Sequence, residues 1–272
     1  MSQDNLAESG KPNAGRIYDY LLGGHHNFEI DRTAAEKLKA LAPFAAKAPK
    51  LQRWCLQDLA VELTERRGYD VIIDFASGLP TQDHIHEAVP AGTTVIYSDF
   101  DPITVEYARE ILQGIPDVYF FQGDARRPEA LLSRPEVKDV LQGRRDIALV
   151  YWGVTAFFTD NELASVSKSL YDWAGPGSCW AFNAQLADVG LNDPGVVRAR
   201  KMYEQMGSPL RLRTLEEYQT LIQPWQLDGT GFVPFMDWHG IDRSEMNEDD
   251  LRVFGAAGGG YGAYLVKQQP AA

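Results

Sequence analysis

Val71-Ile72-Ile73-Asp74-Phe75-Ala76-Ser77-Gly78-Leu79-Pro80-Thr81 decides the fold class. A β-branched apolar run closes on an acid and then breaks into a turn of small residues, as a strand buried in a parallel sheet does. Such a turn leaves backbone N–H groups exposed where a helix opens, and a polar ligand can approach them. About twenty residues on, Val95-Ile96-Tyr97-Ser98-Asp99-Phe100-Asp101-Pro102 repeats the pattern. An acid closing this second strand can accept both hydroxyls of a ribose. A strand with no ligand would also read like the first run, but the second acid weighs against it. The pair points to a nucleoside site on an open α/β sheet.

The turn narrows the nucleoside. A dinucleotide site wants G-x-G-x-x-G, so that the backbone can meet a pyrophosphate. Here Ala76-Ser77-Gly78-Leu79-Pro80 carries one glycine, and Pro80 has no N–H to donate. S-adenosylmethionine has no phosphate and tolerates such a turn, and Asp74 could meet its ammonium group through a water. A nicotinamide-dependent oxidoreductase is disfavoured for the same reason.

Composition sets the bounds. The 272 residues can form one large α/β domain, or a domain with a cap. A net charge of −12 argues against nucleic acid and anionic membranes as partners. Cys55 and Cys179 are too few for a disulfide framework or a zinc site, which fits a cytoplasmic protein. The start of the chain is unlike a signal peptide, and the longest apolar run, over 147–158, is too short to span a bilayer.

Residues 1–13 are polar and are expected to be disordered. Helices are expected over 14–22, stopped by Gly23-Gly24, from a cap at Asp31 through Leu41, and over 50–67. Leu51, Trp54, Cys55, Leu59 and Leu63 form the apolar stripe of the third. Strands are expected at 70–75, 94–98, 118–122, 146–152, 178–184, 225–235 and 260–267. Asp101-Pro102 starts a helix, and Thr159 with Glu162 and Thr214 with Glu217 form capping boxes. The division is a 1–13 tail, a helical lid over 14–68 and a sheet domain over 69–272.

The third strand ends Phe120-Phe121-Gln122-Gly123-Asp124-Ala125-Arg126. Asp124 could cap a helix starting near Pro128. In series with Asp74 and Asp99 it is better placed to accept from an adenine amino group, because ligands of open α/β sheets sit at strand carboxyl ends.

With these residues in place, the chain resembles class I S-adenosylmethionine-dependent methyltransferases. Arg16-Ile17-Tyr18-Asp19-Tyr20-Leu21-Leu22-Gly23-Gly24-His25-His26-Asn27-Phe28, with Asp31-Arg32, resembles more narrowly a bacterial, mostly actinobacterial, family of S-adenosyl methyltransferase-like proteins. Ser77 to Gln82, His86-Glu87 and Asp99 to Pro102 extend the likeness, which runs from Ala14 to about Lys267. The resemblance implies a doubly wound, Rossmann-like seven-stranded sheet whose last strand inserts antiparallel, under an N-terminal helical lid. It further implies that Asp74, Ala76 and Gly78 surround the amino-acid end of S-adenosylmethionine. Asp99 would hold the ribose, Phe100 would pack on the adenine, and Asp124 with Ala125 would read the adenine edge. Tyr18 and Asn27 would fold over the cofactor, and Arg32 would meet its carboxylate or brace an acid. Two departures stand out. Ala76 replaces the first glycine of the turn, which is costly if φ is positive there. Tyr151-Trp152-Gly153-Val154-Thr155 puts Trp152 and Thr155 in the substrate-facing position, where the family more often has small aliphatic residues.

The acceptor is less legible. Strand four lacks the Asn-Pro-Pro-Tyr or Asp-Pro-Pro-Tyr sequences that hold an exocyclic amino group, so a small molecule methylated on oxygen or nitrogen is expected. His25, His26 and His239 are candidate bases, each with a structural or surface role as the plainer reading. In Asp83-His84-Ile85-His86-Glu87 only i,i+3 pairs such as Asp83–His86 or His84–Glu87 converge, so no metal is expected. A non-catalytic binder of S-adenosylmethionine or S-adenosylhomocysteine, acting as a sensor or partner protein, is the alternative function.

Overall fold

The computed structural model describes residues 11–41, 47–81, 83–185, 191–246, 248, 255 and 257–267. Three helices come first: α1 (Ala14–Leu22), α2 (Glu29–Leu41) and α3 (Ala48–Val61), the last widening into a π-turn over Glu62–Arg66. Strands and helices then alternate: β1 (Val71–Phe75), α4 (Ile85–Ala88), β2 (Thr94–Asp99), α5 (Pro102–Ile111), β3 (Val118–Gln122), α6 (Pro128–Leu132), α7 (Pro135–Leu141) and β4 (Ala148–Tyr151). After these come α8 (Asp160–Trp173), β5 (Cys179–Gln185), α9 (Pro194–Gln205), α10 (Leu215–Leu221), β6 (Gln226–Leu227), β7 (Val233–Pro234), α11 (Phe235–Trp238) and β8 (Gly260–Val266).

The strands form one sheet in the order β3-β2-β1-β4-β5-β8-β6, with β7 also paired to β8. β1 to β5 run parallel, and β8 inserts antiparallel beside β5. The doubly wound class I architecture is therefore present, with eight strands rather than seven. The expected strand over 225–235 is cut in two because Asp228 folds back to accept from the Thr230 N–H and Gly231 turns at φ +68°. Strand order reverses between β1 and β4, and ligands of such sheets bind outside the strand ends at that point.

Alternation along β1 builds the core on both faces. Val71, Ile73 and Phe75 join one cluster with Leu149, Tyr151 and Trp180, while Ile72 joins the other with Val95, Tyr97 and Val150. Burying each such side chain stabilises the fold by roughly 1.5–3 kcal/mol. A third cluster of Ile17, Ala34, Ala35 and Leu38 holds α1 and α2 to Ala199 of α9.

Several local expectations change. Residues 1–10 lie outside the described residues, but Asn13 is ordered as the cap of α1, accepting from the Gly15 and Arg16 N–H groups. Asp31 is not the cap of α2; it sits inside the first turn and reaches back to the Phe28 N–H at 3.0 Å. Trp54 is 41% exposed, because α3 turns Gln52, Arg53 and Leu56 inward instead. The helix after β1 is delayed to Ile85 and lasts one turn.

Candidate active site

At the carboxyl ends of the parallel strands lies a cavity of about 740 Å³, roofed by α1, α3 and α9. Tyr18, Asp74, Ala76, Gly78, Asp99, Phe100, Asp124, Ala125 and Trp152 all line it. Asn27, Arg32, Thr155, His25, His26 and His239 do not belong to its lining.

The turn after β1 is built differently from an anion cradle. Ala76 has φ +55° and Gly78 φ +66°. The Ser77 N–H donates to the Ser98 carbonyl at 2.9 Å, and the Gly78 N–H to Asp99 Oδ2 at 3.2 Å. Pro80 has no N–H, and the Ser77 and Gly78 donors of the turn are already engaged. Ala76 adopts the costly conformation, at about 1–2 kcal/mol for a residue with a Cβ. A Cβ on Gly78 would meet nothing within 4 Å, so that side of the turn is open.

His84 braces the turn from behind. It is fully buried, its Nδ1 accepts from the Ile85 N–H, and its Nε2 lies 3.4 Å from the Ser77 carbonyl. His84 and His86 converge on the Tyr97 hydroxyl, both at 3.0 Å, in place of the pairings with Glu87 and Asp83 that helical spacing allowed. Burial first, then the nearby Arg53 and His86, hold His84 well below the usual imidazole range, so it is neutral. Among the described residues no three His, Cys, Asp or Glu side chains gather in a way that could hold a metal ion.

A carboxyl and a guanidinium face the cavity without pairing. Asp74 is 1% exposed and its Oδ1 has no hydrogen-bond partner. Arg53 of α3 is 4% exposed, and its Nε and Nη1 have none either. Burial raises the Asp74 carboxyl well above its ordinary range; Arg53 opposes the rise and Asp99 adds to it. The Arg53 guanidinium lies 5.6 Å from the Tyr18 ring centroid, and the Tyr18 hydroxyl donates to the Pro49 carbonyl at 3.1 Å. Burial also lifts Asp99 to about 6, against hydrogen bonds from the Asp101 and Gly78 N–H groups. The Phe100 ring is 56% exposed at the rim.

Asp124 grips Arg126 through two bonds of 2.8 Å and accepts from the Arg126 N–H at 3.0 Å. It leaves the start of α6 uncapped, and a carboxylate with about four acceptor sites keeps room for a further donor. Burial would raise its pKa, but the Arg126 hydrogen bonds lower it overall. Trp152 lines the cavity while its Nε1 donates to the Gln52 carbonyl at 2.9 Å and its ring packs on Phe235 and Trp238.

The remaining expected residues serve the frame. Asn27 Nδ2 donates to Asp19 Oδ2 and the Gly24 carbonyl, both at 2.9 Å, and Arg32 donates to the Asn27 carbonyl at 2.9 Å. A side chain at Gly24 would strike the Asp19 carboxylate, so this glycine is required by close approach. The Tyr-Asp-Tyr-Leu-Leu-Gly-Gly motif thus ties the α1–α2 hairpin together. Thr155 is fully buried and donates to the Asn183 carbonyl at 2.8 Å. His25 is exposed, and His26 sets its ring edge against Tyr107 of α5. His239 stacks on Trp54 and pairs with Asp58 on the outer face of α3. Arg53 is a cavity-lining residue that the sequence alone does not single out. Its signal was the i, i+3, i+7 spacing with Leu56 and Ala60, which places a guanidinium on an apolar face.

No helix among the described residues is long and apolar enough to cross a membrane. Solved structures share this architecture. A candidate methyltransferase from Thermobifida fusca is 25% identical with TM-score 0.85, covering 99% of both chains. A DUF574 family protein from Streptomyces avermitilis is 22% identical with TM-score 0.81, over 96% of this chain and 99% of that one. An S-adenosylmethionine-dependent methyltransferase from Anabaena variabilis shares the fold at 14% identity and TM-score 0.53, over 77% of this chain and 83% of that one. No curated protein matches significantly. The family profile described as S-adenosyl methyltransferase matches residues 2–261, so the chain belongs to that family of S-adenosylmethionine-dependent enzymes.

Proposed function

We propose that the cavity holds S-adenosylmethionine with its amino-acid end between Asp74 and Arg53, and offers its methyl group to the oxygen or nitrogen of a small molecule. The observation that carries this reading is the unpaired couple of buried charges. A ligand with a carboxylate for Arg53 and an ammonium for Asp74 satisfies both, because leaving either charge buried alone is expensive. A pyrophosphate would meet the Asp74 and Asp99 carboxylates and a turn whose Ser77 and Gly78 N–H groups are engaged. Arg53 thus takes the part that the family resemblance implied for Arg32.

The other roles follow from position. Asp99 accepts the ribose hydroxyls, the open Phe100 ring packs on the adenine, and Asp124 with Ala125 meets the adenine edge. Tyr18 closes over the cofactor from the lid, in a division of lid over 14–68 and sheet domain over 69–272. The bound cofactor supplies an electrophilic methyl on sulfonium. The protein positions the acceptor in line with it and excludes water. The binder-only alternative rests on Ala76 and on the lack of an unambiguous base; the left-handed turn at Ala76 leaves open space at Gly78 rather than closing the cavity, and methyl transfer to an acceptor that is already ionised needs no base. Two free, buried cysteines and a charge of −12 support a cytoplasmic enzyme that does not bind nucleic acid.

Calorimetric titration with S-adenosylhomocysteine, 5′-methylthioadenosine and NADH tests the reading. S-adenosylhomocysteine should bind in the micromolar range, methylthioadenosine more weakly because it lacks the amino-acid end, and NADH not at all. Equal binding of the first two would remove Arg53 and Asp74 from the site.

A further inference from the structure

The cavity is larger than a nucleoside amino acid needs, and its remaining end lies over β4 and β5. There Val154, Phe157, Val196 and Tyr203 give an apolar, aromatic wall, with the Phe157 and Tyr203 ring centroids 5.9 Å apart. Arg200 and Arg211 supply positive charge to the same lining. Arg200 forms no ion pair among the described residues, and Arg211 spends one guanidinium N–H on the Pro209 carbonyl at 3.3 Å. The sulfonium of the donor adds a third positive charge to this end.

What this end lacks is equally informative. Among the described residues that line the cavity there is no histidine, lysine or cysteine. Glu162 stands at the border, where hydrogen bonds from Thr159 hold its carboxyl below the usual range against burial, and Arg126 and Arg211 lower it further. Asp124 is committed to Arg126, and burial pushes the Tyr203 phenol up to about 12. None of these groups is a strong base near neutrality, when a phenol or an ammonium acceptor would have to be deprotonated. An ammonium would also face two guanidiniums and a sulfonium.

We infer that the methyl acceptor is an aromatic carboxylate, its ring against Phe157 and Tyr203 and its charge toward Arg200 and Arg211, and that methylation occurs on the carboxylate oxygen. The inference rests on the cofactor reading above. A carboxylic acid is already ionised at neutral pH, with a pKa near about 4, so no proton has to be removed. One carboxylate oxygen attacks the methyl carbon, the carbon–sulfur bond breaks, and its electron pair stays on sulfur. The products are a neutral methyl ester and neutral-sulfur S-adenosylhomocysteine. Loss of the negative charge then weakens the hold of the arginines and favours release.

The test uses matched sets on one ring: phenylacetate, 2-phenylethanol and phenethylamine, then cinnamate and indole-3-acetate with their alcohols and amines. Methyl transfer from S-adenosylmethionine is followed by mass spectrometry. Binding of each acid and its carboxamide to the S-adenosylhomocysteine-loaded protein is followed by calorimetry. The expected result is ester formation from acids alone, with kcat flat from about pH 6.5 to about pH 9. Arg200→Gln combined with Arg211→Gln should raise KM for the acid about tenfold with kcat little changed, and should leave carboxamide binding as it was. Methyl transfer to the alcohol or amine, acids that neither bind nor react, or binding without ester formation would each overturn the inference. Failure of S-adenosylhomocysteine to bind would instead overturn the cofactor reading, and this inference with it.

Discussion

Arg16 of α1 and Asp101 ahead of α5 form a buried ion pair at 2.9 Å, and the same Asp101 donates its N–H to Asp99 at 2.9 Å. Arg16 also pairs with Asp31 of α2 at 2.8 Å. One guanidinium therefore links α1 and α2 to the loop that carries Asp99.

Arg16→Met should cost about 3–5 kcal/mol of stability, because it leaves Asp31 and Asp101 buried without their cation. Arg16→Lys keeps the charge but not the forked geometry, and should lose less. Thermal unfolding of both variants checks this; a Met variant as stable as the parent would show the network to be incidental.

Cofactor affinity should depend on pH through Asp99. Its carboxyl sits at about 6 in the free protein, and only the ionised form accepts two hydroxyls. Binding therefore favours ionisation, and affinity rises with pH until the group is fully charged, by up to about tenfold per unit. Asp74, also raised, acts in the same direction and steepens the dependence. Asp99→Asn should remove its share of the slope in titrations with S-adenosylhomocysteine. The same raised pKa means that, without ligand, this group's contribution to stability falls as pH rises from about 4 to about 6. The folded state holds the proton longer than the unfolded one does.

Ala76→Gly should stabilise the protein by up to about 1 kcal/mol. It removes the strain of a left-handed alanine, offset in part by a more flexible unfolded chain. A gain of about 2–4 °C in Tm is expected. A loss of similar size would mean that the methyl group packs usefully enough to outweigh its backbone.

Residues 14–32 should gain protection from hydrogen exchange when S-adenosylhomocysteine binds, since Asn13, Ala14, Gly15 and Tyr18 line the cavity. Protection confined to the loops after β1 and β2 would make the lid ordinary packing.

The sheet and its acids were legible because they depend on local pattern. Apolar runs ending at Asp74, Asp99 and Gln122 announce strands and their carboxyl ends together, and Asp74, Asp99 and Asp124 all reach the cavity. Arg53 was not legible in the same way. On the helix it reads as a solvent-facing cation, and only the packing of α3 over β1 buries it. Trp54 fails for the complementary reason, since the rotation that brings Arg53 inward turns the indole out. The α1–α2 motif shows a third limit. Its Asn27 and Arg32 are specific, but they specify the α1–α2 hairpin, and spacing alone does not separate a residue that holds a ligand from one that holds its neighbour.

The central claim is the charge couple between Asp74 and Arg53. Its most direct measurement is the affinity of the parent and of Arg53→Met for S-adenosylhomocysteine and for 5′-methylthioadenosine. A loss of about 1.5–3 kcal/mol is expected for the first, from missing charged hydrogen bonds, and none for the second. Equal losses for both ligands, or no loss for either, would contradict it.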